Sequence, residues 1–312
     1  MTPESLQQHT RQTLEWDVLL EALASQAHSL TGANSCRQLT LETSLEDAIS
    51  RQHETTEMRS LLESSTPFPI LNFEDLRESF KRASKGAHLE GLELFHISVM
   101  LELCRDITQV LEAYEESCPT IHVLGQDLEP LVWIQEAIEQ CIDHEGHIKE
   151  TATPELYQLL QHLSQLRQRI RQRLERMLSS HDYEDLLQGQ YFAEREQRYV
   201  IPVKAEMQHQ IPGIVHDISG SGATVFLEPR DLIELNNAIK VADLQVKQEV
   251  RRILQNLSHM VASQVDSLFH NFSLLGQLDS IGAKARLSIK MSANPVSLNT
   301  REHINLHQAR HP

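Results

Sequence analysis

Apolar residues recur at three- and four-residue intervals along most of the chain, and that period predicts helices. Leu14, Val18, Leu19, Ala22 and Leu23 mark the first, with acids on its other face. The Thr-Gly-Ala-Asn run at 31–34 is expected to end it, and a second helix is expected from about Ala33 to Leu41. Thr43-Ser44-Leu45-Glu46, followed by Asp47, looks like a helix start, and that helix should continue to Leu62. Ser64 to Pro69 is a break. Helices are expected again at 74–84, at 90–117 with Leu92, Phe95, Val99, Leu103, Ile107 and Val110 on one side, and at 127–146, closing at Glu145-Gly146.

From Pro154 the texture changes. Leu156, Leu159, Leu163, Leu166 and Ile170 keep a 3-4 repeat, which Leu174 and Met177 continue with a one-residue shift. The stripe is narrow, as in a coiled-coil seam, and predicts one long helix with Pro154 in its first turn. Its polar side carries Arg167, Arg169, Arg171, Arg173 and Arg176. Tyr199–Val203, Gly213–Ile218 and Ala223–Leu227 read as strands, with Ser219-Gly220-Ser221-Gly222 as a turn. A second seam then runs from Leu232, Leu235, Ile239, Ala242 and Val246 to Phe272 and Leu275. One returning helix of about 45 residues would be roughly 65–70 Å long. The fold class expected is therefore mainly α: a helical core domain plus a long antiparallel helical arm with a small β-rich insert at its tip.

Composition supports this. Across 312 residues there are only 11 glycines, 11 prolines and 5% aromatics, which argues against a β-sandwich or a glycine-dependent nucleotide fold. With 40% hydrophobic residues the chain is not a disordered one. The net charge is −16, and it is uneven. Residues 1–150 hold 10 Lys+Arg against 27 Asp+Glu, and residues 151–312 hold 18 against 17. A global field of this sign does not attract DNA, so any contact with a polyanion must use a local basic stripe in the second half. Cys36, Cys104, Cys118 and Cys141 form no CxxC pair, which fits a reducing cytosol. The polar start and the lack of a long apolar run predict a cytoplasmic protein with no membrane partner.

Most candidate chemistry is weak. Ser219–Gly222 lacks the Gly-Lys-Ser/Thr and the following helix of a phosphate loop. His144 and His147 are three apart beside Gly146, and the zinc-helix spacing is four. His303, His307 and His311 would share a helical face, but no carboxylate or thiol completes a shell. No catalytic residue and no metal ligand is assigned. The arm arginines, with Arg195, Arg198, Lys204 and His216 at the tip, have the chemistry of sequence-independent phosphate contact. Interleaved acids (Glu194, Glu196, Glu206, Asp217) make structural ion pairs the competing reading. The candidate nucleic-acid-binding set is Arg167, Arg169, Arg171, Arg173, Arg195, Arg198, Lys204 and His216. Two further classes stay open: a structural helical arm for protein–protein interaction, and a metal-dependent hydrolase using His144 and His147.

Several segments carry a resemblance. YVIPVKAE (199–206), GIVHDISGSGATVFLEP (213–229) and LIELNN (232–237) resemble the clamp and adjoining lever helix of the type II bacterial branch of the MutS family. TLEWDVLLEALA (13–24), FKRASKGAHLEGLEL (80–94) and ARHP (309–312) resemble its opening helix, its next landmark and the segment before its ATPase domain. The resemblance implies a core domain over 1–153, an outgoing lever helix over 154–189, and a clamp over 190–231. A returning lever helix over 232–280 and a connector over 281–312 would follow. The family's Walker motifs and its C-terminal nuclease domain find no match here. The resemblance therefore implies a binding region without catalysis or cofactor of its own, whereas the full-length parent would use ATP and Mg²⁺ and form a homodimer. It further implies DNA (branched or mismatched) or the ribosome and its rRNA as partner, with roles in suppressing recombination or in splitting collided ribosomes.

Overall fold

A computed structural model describes residues 11–42, 44–65, 68–301 and 303–307. It is mainly helical with one small antiparallel sheet. Among the described residues the first half of the chain contains α1 (Trp16–Ala24), α2 (Leu30–Arg37), α3 (Leu45–Leu62), α4 (Arg77–Ser84), α5 (Gly91–Glu112), α6 (Pro119–Gln126) and α7 (Val132–Cys141). The long α8 (Pro154–Leu178) and one-turn α9 (His181–Glu184) lead to β1 (Ala193–Arg195), β2 (Arg198–Lys204), β3 (Gly213–Ile218) and β4 (Thr224–Pro229). Two long helices follow the sheet, α10 (Ile233–Ser263) and α11 (Val265–Met291). No helix among the described residues is long and apolar enough to cross a membrane.

The chain divides into two compact units, one built from the segments up to His147 and from Leu254 onward, the other from Ile148–Ile253. In the first, α11 packs against α1 to α5. Its middle is buried almost all round, from Leu274 to Ala283, as befits a central helix. Phe80 meets Phe269 and Phe272 edge-on, with centroids 5.2 and 6.2 Å apart. Asp279 is fully buried in this helix. It accepts hydrogen bonds from the backbone N–H groups of His28 and Ser29 (2.8–3.1 Å), from Ser29 Oγ (2.8 Å) and from Arg286 (2.9 Å). Ser29 in turn caps α2 by accepting from Gly32 N at 2.9 Å.

This contact explains where the expected break at 31–34 fails. The Thr-Gly-Ala-Asn run lies inside α2, and the connection between α1 and α2 falls at 25–29. Gly32 is a site of close approach: a Cβ there would lie 2.2 Å from Asp279 Oδ2. Gly276, one turn before Asp279, faces Thr31 in the same way. Ser44 caps α3 as expected, accepting from Asp47 N, while Thr43 lies outside the described residues.

Other differences have similar causes. The buried side of α5 is Leu94, Ile97, Leu101, Cys104, Ile107 and Leu111, and Leu92 is exposed, because this helix carries apolar residues on more than one face. Pro119–Gln126 is a helix of its own, with proline in the first turn. The returning helix does not run unbroken: α10 ends at Ser263, Gln264 leaves helical geometry, and α11 starts at Val265. No glycine or proline marks that break, and the apolar seam passes straight over it.

In the second unit α8 and α10 run antiparallel. Thr153 and Glu155 meet Glu249 and Arg252, Arg167 meets Asp243, and Arg173 meets Asp231. The seam between them is the expected one: Leu163, Leu166, Ile170, Leu174 and Met177 against Leu232, Ile239 and Ala242. It continues into the sheet through Tyr199, Ile201, Val203 and Leu227. Thr153 caps α8 by accepting from Leu156 N (3.0 Å), and its hydroxyl donates to Glu249 (2.9 Å). A hydrogen bond from Arg252 holds the Glu249 carboxyl below its ordinary pKa of 4.5.

Two outcomes follow. Gly32→Ala should cost about 1–3 kcal/mol by overpacking against Asp279, measurable as a lower urea midpoint at unchanged slope. The Glu249 contribution is present above about pH 4.5 and is lost as pH falls through its lower folded value. Acid titration of stability should therefore be shallower in Glu249→Gln than in the parent.

Candidate functional site

The sheet has the order β1-β2-β4-β3, all antiparallel. β1, which the sequence pattern does not announce, joins β2 through Glu196 and Gln197, both at positive φ (50° and 63°). That is the backbone a two-residue hairpin of right-handed twist demands. Ser219–Gly222 is the expected turn between β3 and β4, with Gly222 at φ 72° and Ser219 Oγ accepting from Thr224 N. A bulge interrupts β3: Val215 faces Leu227 and Asp217 faces Phe226, so His216 has no opposite residue. A bulge re-aims the side chain it carries. Here the His216 ring meets Glu228 Oε2 at 2.7 Å.

Glu228 is fully buried and gathers the whole end of the unit. Its Oε1 accepts from Arg198 (2.6 Å) and from the Asn236 amide (2.8 Å). Asn236, also buried, clasps the Tyr199 peptide from both sides, accepting from its N–H (2.9 Å) and donating to its carbonyl (3.1 Å). Arg198 reaches Asn237 Oδ1 as well, at 2.7 Å. One carboxylate thus ties β2, β3 and β4 to the first turn of α10. A buried acid without these partners would cost several kcal/mol in desolvation.

The predicted cationic residues separate into three groups. Arg198 and His216 come together inside the protein, on Glu228. Arg195 and Lys204 are engaged at the surface: Arg195 pairs with Asp217 (3.0 Å) and lies over the Phe226 ring (4.4 Å), and Lys204 donates to the Asp185 carbonyl (2.8 Å). The α8 arginines are all exposed, but they do not make one stripe. Arg167 and Arg171 line a concavity on one flank of the buried seam. Arg169, Arg173 and Arg176, spaced i, i+4, i+7, line another on the opposite flank. Arg167 and Arg173 touch acids only loosely, at 3.8 and 3.5 Å, and Arg169, Arg171 and Arg176 form no ion pair.

Sequence reasoning missed Glu228, Asn236 and Asn237 as a unit, although all three lie in recognised segments. The usable signal was an acid closing an otherwise apolar strand, Val225-Phe226-Leu227-Glu228, since strand positions on a buried sheet seldom tolerate one unpaired. Elsewhere, His144 and His147 are exposed on the turn at Asp143–His147, where Asp143 accepts from the Glu145 and His147 N–H groups. Among the described residues no three His, Cys, Asp or Glu groups converge as a metal site would require. His311 and the ARHP segment lie outside the described residues.

No protein-family model matches the chain. Comparison with curated proteins does give relatives. The chain is 36% identical over 309 residues to "Endonuclease MutS2" of Geobacillus sp. (strain WCH70), covering 97% of this chain and 39% of that protein. It is 31% identical over 309 residues to the protein of the same name from Alkaliphilus oremlandii (98% and 39%). It is 32% identical over 302 residues to that of Clostridioides difficile (strain 630), at 96% and 38%. The chain thus spans about two fifths of the length of the relatives it matches.

The clasp makes a stability prediction. Asn236→Ala strips Glu228 of one donor and leaves the Tyr199 peptide unanswered, so it should cost about 2–3 kcal/mol. Hydrogen exchange at the Tyr199 amide should accelerate far more than at the α11 amides.

Proposed function

This chain is a MutS2-type region of the MutS family, and from that premise we propose that it serves as the nucleic-acid-holding part of such a protein. The observation that carries the reading is electrostatic. In a chain of net charge −16, α8 keeps five exposed arginines, and three of them (Arg169, Arg171, Arg176) have no acidic partner. Exposed arginine without an acidic partner suits phosphate, which its planar fork can bind with two hydrogen bonds.

In this reading α8 and α10 form the lever and the four-stranded sheet forms the clamp. Arg167, Arg169, Arg171 and Arg173 contact phosphates, with Arg195 and Lys204 adding contacts from the sheet. Arg198 and His216 act indirectly, by holding the sheet on α10 through Glu228. Phosphate contacts carry no base information, so the binding expected is independent of sequence. Branched or mismatched DNA and the ribosome's rRNA both present the required phosphate array. Suppression of recombination or the splitting of collided ribosomes would belong to the whole protein, together with its ATP-driven steps and the nuclease activity in its relatives' name. The cytoplasm is the compartment that fits such partners.

A second reading has its own observation. β3 is a free edge of the sheet, and Ile214, Val215 and Ile218 on it are exposed. An apolar edge strand is a surface for another protein.

Titration of this chain against four-way-junction DNA, duplex DNA and ribosomes at two salt concentrations tests the proposal. Salt-sensitive binding is expected, and Arg195→Gln/Lys204→Gln should weaken it and lower the salt slope by roughly 1–2. No binding to any of the three, with a mass that rises with concentration, would favour the protein-interaction reading instead.

A further inference from the structure

Among the described residues, twelve arginines form ion pairs and seven do not: Arg11, Arg169, Arg171, Arg176, Arg230, Arg251 and Arg301. Three of those seven line a single concavity. Arg169, Arg173 and Arg176 project from one flank of α8, and Arg230 enters from the turn that follows β4. The turn is fixed by the sheet, since Arg230 N donates to the Pro212 carbonyl at 2.8 Å. Asp231, Glu234 and the half-buried Leu235 complete the lining. Asp231 holds Arg173 at 3.5 Å, and neither acid reaches the other three arginines. Four guanidinium groups against two carboxylates leave the concavity positive in a chain whose other arginines are mostly neutralised.

Like charges that share a concavity repel one another. An oxyanion between them removes the repulsion and satisfies several N–H donors at once. The three α8 arginines span seven residues, roughly 10 Å along the helix, which is more than one phosphate needs. No aromatic side chain lines the concavity, so nothing there stacks on a base.

We infer that Arg169, Arg173, Arg176 and Arg230 form a discrete backbone-phosphate site that takes two or three successive phosphodiesters of one nucleic-acid strand. It rests on the nucleic-acid reading above and sharpens it: the opposite flank, Arg167 and Arg171, faces Asp243 and Glu150 and contributes less per charge. Arg230 becomes a binding residue that neither the helix pattern nor the cationic stripe singled out.

The test compares Arg169→Gln/Arg176→Gln/Arg230→Gln with Arg167→Gln/Arg171→Gln in this chain, titrated with 20-base-pair duplex DNA and with duplex RNA of the same sequence. The triple variant should lose roughly 10- to 100-fold in affinity, and its log–log salt slope should fall by about 2–3. The double variant should lose distinctly less per charge removed. Equal loss per charge in the two variants would overturn the site while leaving the nucleic-acid reading standing. Absence of binding by the unaltered chain would overturn both. A second measurement needs no variant: phenylglyoxal modification read by mass spectrometry should show duplex-dependent protection of Arg169, Arg176 and Arg230 but not of Arg251. Protection by DNA or by RNA supports the site and identifies its source of phosphate. Protection spread evenly over Arg251 and the concavity would refute it.

Discussion

Each unit of this protein holds a carboxylate fully sealed from water, Asp279 in one and Glu228 in the other. Removing a carboxylate from solvent is affordable only when several donors converge on it, so the groups that supply them are fixed in place as a consequence. Glu228 draws in Arg198, His216 and Asn236 and so locks three strands to the start of α10. Asp279 draws in two backbone N–H groups, Ser29 and Arg286, and so fixes the start of α2 on the central helix. Such acids are weak evidence for net stability, since a well-packed apolar replacement can be equally stable, but removing one of their partners leaves a buried charge uncompensated. Buried asparagines extend the device. Asn236 clasps the Tyr199 peptide within β2, and Asn271 clasps the Glu129 peptide, which lies outside regular structure, in the same two-sided way.

This economy of charge gives the exposed arginines their meaning. The chain has acids in excess, and twelve arginines of the described residues use them. Where arginine stays unpaired in such surroundings, the absence of a partner is a property of the position and not of supply. The positions on α8 are those of a rigid helix whose apolar seam is buried against α10 and the sheet, so their side chains present a fixed array with little backbone freedom left to lose. Within that frame the residues nearest the sheet divide by burial. Those that face Glu228 hold the sheet to α10, and those on the outer flanks of α8 stay exposed.

Much of this was legible before any tertiary contact was known. The seam of α8, the strands β2 to β4, the Ser219–Gly222 turn and the cap at Ser44 all follow from spacing and local chemistry, because each is decided within a few residues. The family could be named from a handful of short segments, and near-complete coverage of the chain by relatives agrees with it. Legibility failed where a signal had two meanings. Gly32 signals a helix end by propensity and a close helix contact by packing, and packing against Asp279 decided it. The apolar residues of α5 fit two faces, and only its neighbours selected one.

The sequence alone determined the helical class, the small sheet between two seams, the uneven charge and the cationic character of α8, since these are sums or short periods that no fold can alter. Tertiary structure alone decided which cations are spent and which are free. Arg198 and Arg169 are alike in the sequence, each a cation among interleaved polar residues. One meets Glu228, 30 positions away, at 2.6 Å inside the protein, and the other meets no acid. The bulge that turns His216 inward and the turn that brings Arg230 beside α8 are likewise set by strand pairing between distant segments. Coulomb energy depends on distance in space and on dielectric surroundings, and neither is written in spacing along the chain.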